Sequence, residues 1–255
     1  MDRAALREHL IAARLAGDVA TSRAENLKSI RQLLLDKGLT DTDWLGVQPA
    51  RDYTFYDVLR IVATRAGINP DAARTEGADR IDTELTLEAI EAAAARLSKA
   101  ARNKDRVFAG TGHPIGVSGI YGPVLLALRR AGCQVQTPGA GLRVECDGGG
   151  RTIRYVDRVA LLSSRGFVRH SHSPVAMQAL LRSGLDADLV IADHGWAGAA
   201  AAAGLDVIAF ADTNDPSLFV AADEGSVGVV VPLDDNLRGR TYRPITSALL
   251  DAIAG

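Results

Sequence analysis

Four short apolar runs in the second half of this chain restrict its fold more than any other feature. "RVFAG" (106–110), "DLVIA" (188–192), "DVIAFA" (206–211) and "VGVVVP" (227–232) are apolar at successive positions instead of alternating with polar residues. A strand that is apolar on both faces needs cover on both sides, which parallel sheets flanked by helices provide. The intervening segments have helical spacing: "IYGPVLLALRRAG" ending at Gly132, "SPVAMQALLRSG", and the closing "ITSALLDAIAG". "CQVQTP" and "RVALLSS" read as further strands, and "GLRVECDGGGRTIRYV" as a hairpin turning at Gly148 to Gly150. The expected fold class is α/β, Rossmann-like, with a mainly parallel sheet.

The first hundred residues have a different period. "AALREHLIAARLAG", "NLKSIRQLLLDKG" closing at Gly38, "DVLRIVATRAG" closing at Gly67, and "TLEAIEAAAARLSKAARN" opened by Thr86 all place apolar residues along one helical face. This predicts an N-terminal helical layer or subdomain over 1–103, followed by a Rossmann-like α/β catalytic domain over 104–255. The boundary rests on the change of period alone.

Composition narrows the partners. The 255 residues carry a formal net charge of -2, so no global basic field points to nucleic acid. No stretch has the roughly 20 strongly apolar residues of a membrane span, and the charged N-terminus lacks the apolar core of an export signal. Cys133 and Cys146 have no metal-type spacing and suit a reducing interior. A cytoplasmic protein without membrane or nucleic-acid partners is expected, and a homo-oligomer is compatible with the sequence.

In parallel sheets ligands bind beyond the carboxyl ends of the strands, and here those ends carry the polar chemistry. Four of the five histidines, His113, His170, His172 and His194, fall just after strands. Imidazoles there serve a metal site or acid/base work, with His113, His194 and Asp193 as candidate catalytic groups. "GTGHPIG" offers Gly110, Thr111 and Gly112 as a phosphate cradle at a strand-to-helix turn, or simply a tight turn. It is neither a GxGxxG nor a Walker loop. Asp193, Asp212, Asn214 and Asp215 supply hard oxygen ligands for magnesium or manganese. Asp215 before Pro216 reads equally as a helix cap. The acids of "VPLDDN" read as turn residues. Arg169 and Arg23 are candidate phosphate grips, as are Arg165 and Arg14. Trp196 is a stacking surface for substrate or a packing residue. No GxSxG elbow marks a serine nucleophile.

"AGDVATSRAENL", "GTGHPIG", "HSHS", "ADHGWAG", "DTNDPSLF" and "VPLDDN", in that order, resemble a bacterial family catalogued simply as phosphatase, over nearly the whole chain. The chain departs from that pattern after "HSHS", where "PVAM" stands in place of Gly-Glu-Pro-Met. A helical layer before a Rossmann-like metal site is also similar, in architecture only, to the damage-control phosphatases. The resemblance and the residues together imply a divalent-metal-dependent phosphomonoesterase acting on a small phosphorylated metabolite, a sugar phosphate or nucleotide. Two other readings are a sugar-phosphate isomerase or lyase, and a non-enzymatic nucleotide- or metabolite-binding regulator.

Overall fold

The computed structural model describes residues 2–35 and 43–255; the expected helix end at Gly38 lies outside them. In chain order the elements are α1 (Arg3–Ala12), β1 (Gly17–Ser22), α2 (Arg23–Leu35), α3 (Phe55–Ala66), β2 (Ala78–Ile81) and α4 (Thr83–Asn103). There follow β3 (Arg106–Gly110), α5 (Ser118–Arg130), β4 (Gln134–Val135), β5 (Arg143–Cys146), β6 (Gly149–Val156), β7 (Val159–Ser164) and β8 (Phe167–Arg169). The last are α6 (Val175–Arg182), β9 (Leu189–Ala192), α7 (His194–Ala202), β10 (Val207–Ala211), α8 (Pro216–Asp223), β11 (Val229–Pro232) and α9 (Arg243–Ala254).

The main sheet has the order β11-β10-β9-β3-β7-β6-β5, with β4 also on β3 and β8 on β7. β11, β10, β9, β3 and β7 are parallel, as the continuous apolar runs require, and every residue of β9 and β10 is buried. β5, β6 and β8 add an antiparallel extension. From β3 the chain crosses through α5 to β4 on one side, whereas β9 lies on the other. A reversal of this kind opens a crevice at the carboxyl end of the central strand.

Two apolar cores cover the faces of the sheet. One holds Leu27, Val58, Met177, Trp196 and Phe219, from α2, α3, α6, α7 and α8. The other holds Leu10, Leu97, Tyr121 and Leu249, from α1, α4, α5 and α9. The helices before residue 103 are thus divided between the two faces. α4 begins one turn earlier than Thr86, because the Asp82 carboxylate accepts the Glu84 and Leu85 amides at 2.8 and 3.2 Å. Thr86 is instead buried, its hydroxyl donating to the Pro232 carbonyl at 2.8 Å.

The N-terminal region is not purely helical. β1 and β2 form an antiparallel ribbon, with Gly17 opposite Ile81. Residues of "GDVATS" alternate between inside and outside, so the period-two signal exists but is short enough to be absorbed by the adjoining helices. The ribbon carries Thr21 to the crevice, where its hydroxyl donates to Asp212.

Candidate active site

A cavity of about 270 Å³ lies at the carboxyl ends of the parallel strands. The loop after β3 brings His113, the loop after β8 brings His170 and His172, and the start of α7 brings His194. The loop after β10 contributes Asp212 and Asn214, and the loop after β11 contributes Asp234 and Asp235. Thr21 and Glu25 close it from the N-terminal side. Among the described residues, no lysine or arginine lines this cavity.

The four imidazoles form one cluster. Ring centres lie 4.1 Å apart for His113 and His170, 4.4 Å for His113 and His194, and 4.1 Å for His172 and His194. His194 occupies the left-handed backbone region at φ 43°, a strain of about 1–3 kcal/mol that a functional residue sustains when its surroundings hold it. Glycines make this possible. A Cβ on Gly112 would meet the Ser171 carbonyl oxygen and sit 2.8 Å from His194 Nδ1, and one on Gly195 would sit 2.5 Å from the His172 carbonyl.

Carboxylates surround the cluster. His194 Nε2 lies 3.1 Å from Asp215 Oδ2 and 3.6 Å from Asp235 Oδ2, and His113 Nδ1 lies 3.4 Å from Asp235 Oδ2. Burial opposes charge on His194, but Asp215, Asp235 and Asp193 outweigh it and lift its pKa to about 10. Burial, reinforced by the neighbouring imidazoles, pushes His170 down to about 3 and His172 to about 4, leaving both neutral at pH 7. Burial and then Asp235 hold Asp212 well above the usual carboxylate range.

These groups fit divalent cations. His113 Nδ1, His194 Nδ1, Asp215 Oδ2 and Asp235 Oδ2 are all buried with no hydrogen-bond partner, an arrangement that ordinarily marks a missing ion or water. Three donor sets converge, each with its ligand atoms within 4.8 Å of one another: His113, His170 and His194; His172, His194 and Asp215; and Asp212, Asp234 and Asp235. The all-carboxylate set suits magnesium or manganese, and the imidazole sets suit zinc or iron.

Several expected site residues have other work. Asp193 is fully buried and accepts from the Thr111 hydroxyl at 2.7 Å, the Gly112 amide at 2.5 Å and the His113 amide at 3.3 Å. The turn that was expected to cradle phosphate therefore cradles the chain's own carboxylate, and Asp193 is not directed at the cavity. Gly110 is required for packing, since a Cβ there would collide with the Trp196 ring. Trp196 itself is fully buried against Phe108. Arg23 is wholly buried, paired with Asp79 at 3.0 Å and bonded to the Arg74 and Asp71 carbonyls. Arg14 braces the Asp18 and Val19 carbonyls. Arg169 is exposed in a separate cleft with Arg143, Arg151 and Arg165. Asp215 occupies the cap position of α8 but makes no side-chain cap bond, because its carboxylate faces His194. Asp234 and Asp235, read as turn residues, instead wall the cavity at 2% and 3% exposure.

Comparison with known proteins identifies the family. A family model described as Phosphatase matches residues 1–254. The chain is also 43% identical over 257 residues to the Streptomyces coelicolor (strain ATCC BAA-471 / A3(2) / M145) protein named Phosphatase SCO2771, covering 97% of this chain and 95% of that protein.

Proposed function

The chain belongs to the Phosphatase family, and from that premise we propose that it is a metal-dependent phosphomonoesterase acting on a small phosphorylated metabolite, a sugar phosphate or nucleotide, in the cytoplasm. The observation that carries the reading is the charge of the cavity. Asp212, Asp234 and Asp235 are buried in its lining, Asp215 is buried against its His172 and His194, and no lysine or arginine among the described residues lines it. Carboxylates so placed repel a phosphate dianion, and bound cations would offset them.

We assign one cation to His172, His194 and Asp215 and a second to Asp212, Asp234 and Asp235, both sets being preassembled. Divalent ions held there would supply positive charge for the phosphoryl oxygens and acidity for the attacking water. The protein contributes the rest. Asp193 tethers the 111–113 turn and so fixes His113. Asp235 faces that ring with Oδ2 3.4 Å from Nδ1, and His113 is the group assigned to protonate the departing alkoxide, a role worth about 10²- to 10⁴-fold. The Asn214 amide, on the cavity wall, is assigned to donate to the phosphoryl group. Magnesium or manganese is expected in the carboxylate set.

The test is phosphate release from a panel of sugar phosphates and nucleotides. Chelated protein is compared with protein reloaded with magnesium, manganese or zinc. Activity that is absent after chelation, restored by an ion and lost in Asp215→Asn is expected. Full activity in the chelated protein would overturn the metal assignment, and no phosphate release from any ester would overturn the phosphomonoesterase assignment.

A further inference from the structure

A second recess, of about 220 Å³, shares His113, His170, Asn236 and Leu237 with the catalytic cavity and adds Pro114, Ile115, Val168 and Arg238. Its character is different. Pro114, Ile115, Val168 and Leu237 line it, and Ile115 and Val168 are 74% and 42% exposed. Single exposed apolar side chains are ordinary on a protein surface. Two that line one recess, itself bounded by the imidazole assigned to the leaving group, form a surface that binding would remove from water. Both come from segments that already serve the site: Ile115 lies two residues beyond His113, and Val168, in β8, two residues before His170.

The lining selects among leaving groups. A polyhydroxylated sugar pressed against Pro114, Ile115, Val168 and Leu237 would leave hydroxyls without partners, at a cost apolar contact does not offset. A flat heteroaromatic ring meets the opposite balance, with apolar faces and a polar edge. Besides the imidazoles, the polar side chains of the recess are Asn236 and Arg238. An amide donates to and accepts from such an edge, and a guanidinium stacks on aromatic faces. Among the described residues no carboxylate pairs with Arg238, so its guanidinium is free to do so.

We propose that this recess receives the base of a nucleoside monophosphate while its phosphate occupies the catalytic cavity, so that nucleotides, not sugar phosphates, are the substrate class. The proposal rests on the phosphatase reading above and narrows it.

Adenosine 5′-monophosphate and ribose 5-phosphate share the same departing 5′-alkoxide and differ at the sugar's first carbon, so their comparison isolates the base. With manganese-loaded protein, kcat/KM is expected to favour the nucleotide by about 10- to 200-fold, mostly through KM, the range an apolar pocket provides. In the surface variant Ile115→Ser with Val168→Ser the ratio is expected to collapse toward one. Equal or reversed preference, or a ratio the variant leaves intact, overturns the recess assignment while phosphate release from both esters keeps the phosphatase reading. If neither ester is hydrolysed, that reading fails instead, and calorimetric titration decides the recess. Tighter binding of the nucleotide than of ribose 5-phosphate, lost in the variant, supports it; no difference overturns it.

Discussion

The Asp193 carboxylate receives the Gly112 amide at 2.5 Å, and this bond makes an acidic side chain at the end of β9 the tether of the loop after β3. Together with the Thr111 hydroxyl and the His113 amide it leaves Asp193 with donors on both oxygens. Asp193→Asn replaces one acceptor oxygen by an amide NH2 that itself donates toward those donors, and an expected loss of about 2 kcal/mol follows from the mismatch. Urea unfolding measures that loss, and metal analysis of the same variant should give a content near wild type. Protein emptied of metal would make Asp193 a ligand and not a tether.

Asp235 sits in the opposite situation. Its Oδ2 is buried without a hydrogen-bond partner, and burial raises its pKa despite the favourable pull of His113 and His194. An ionised group that the fold disfavours destabilises the metal-free protein. Asp235→Asn is therefore expected to raise the melting temperature of chelated protein by a few degrees, at about 2–4 °C per kcal/mol for a chain of this size. Metal content should fall in parallel. A lower melting temperature in the chelated variant would contradict this balance.

Arg23 and Asp79 are an ion pair with both side chains at 1% exposure or less. Arg23→Ala strands the Asp79 charge without a cation, leaving it only the Asn26 side-chain amide at 3.0 Å and the Asn69 and Arg80 backbone amides at 3.4 and 3.3 Å, and the expected cost is about 3–5 kcal/mol. Removing Asp79 as well should recover part of it. Because Arg23 lies behind the cavity wall, KM of the folded variant is expected to match wild type. A KM rise without loss of stability would return Arg23 to the substrate.

The histidine cluster sets the pH response of the chelated protein. His194, at about 10 in the folded state, binds its proton more tightly than in the unfolded chain. Its contribution is full below about 6.5 and is lost as pH rises toward 10. His170 and His172, held down to about 3 and about 4, behave oppositely: stability is present above the unfolded value and lost as pH falls through those values. Melting temperature against pH should peak near the unfolded histidine pKa, with an alkaline limb flattened in His194→Gln and an acid limb reduced in His170→Asn. A profile flat from pH 4 to 9 would exclude the cluster as its source, within the window set by about 6.5 for the unfolded group.

Much of the fold was legible because a period is local. The apolar runs of β3, β9, β10 and β11 carry their own requirement for cover on both faces, and the acids and imidazoles at their ends belong to the edge where such sheets bind ligands. His113, His170, His172, His194, Asp212 and Asn214 were within reach of that reasoning, and the structure places them around one cavity. The "VPLDD" run had the same form, yet a strand's neighbours in the sheet are not written in its residues. Only the pairing of β11 with β10 puts Asp234 and Asp235 beside the histidines and not in a distant turn.

Direction was beyond the sequence altogether. Residue type gave Asp193 and Arg23 charges suited to a metal and a phosphate, but a charge is neutral about its partner until the chain has closed. Folding brought Thr111, Gly112 and His113 onto Asp193 and Asp79 onto Arg23, while Asp215 and Asp235 were left facing the imidazoles of the cavity. The sequence by itself determined the parallel sheet and the edge that carries the polar groups, because hydrophobic periodicity is a property of neighbours along the chain. Tertiary structure alone decided which of those groups are satisfied within the protein and which are left for a ligand, because that depends on donors and acceptors brought together across distant segments.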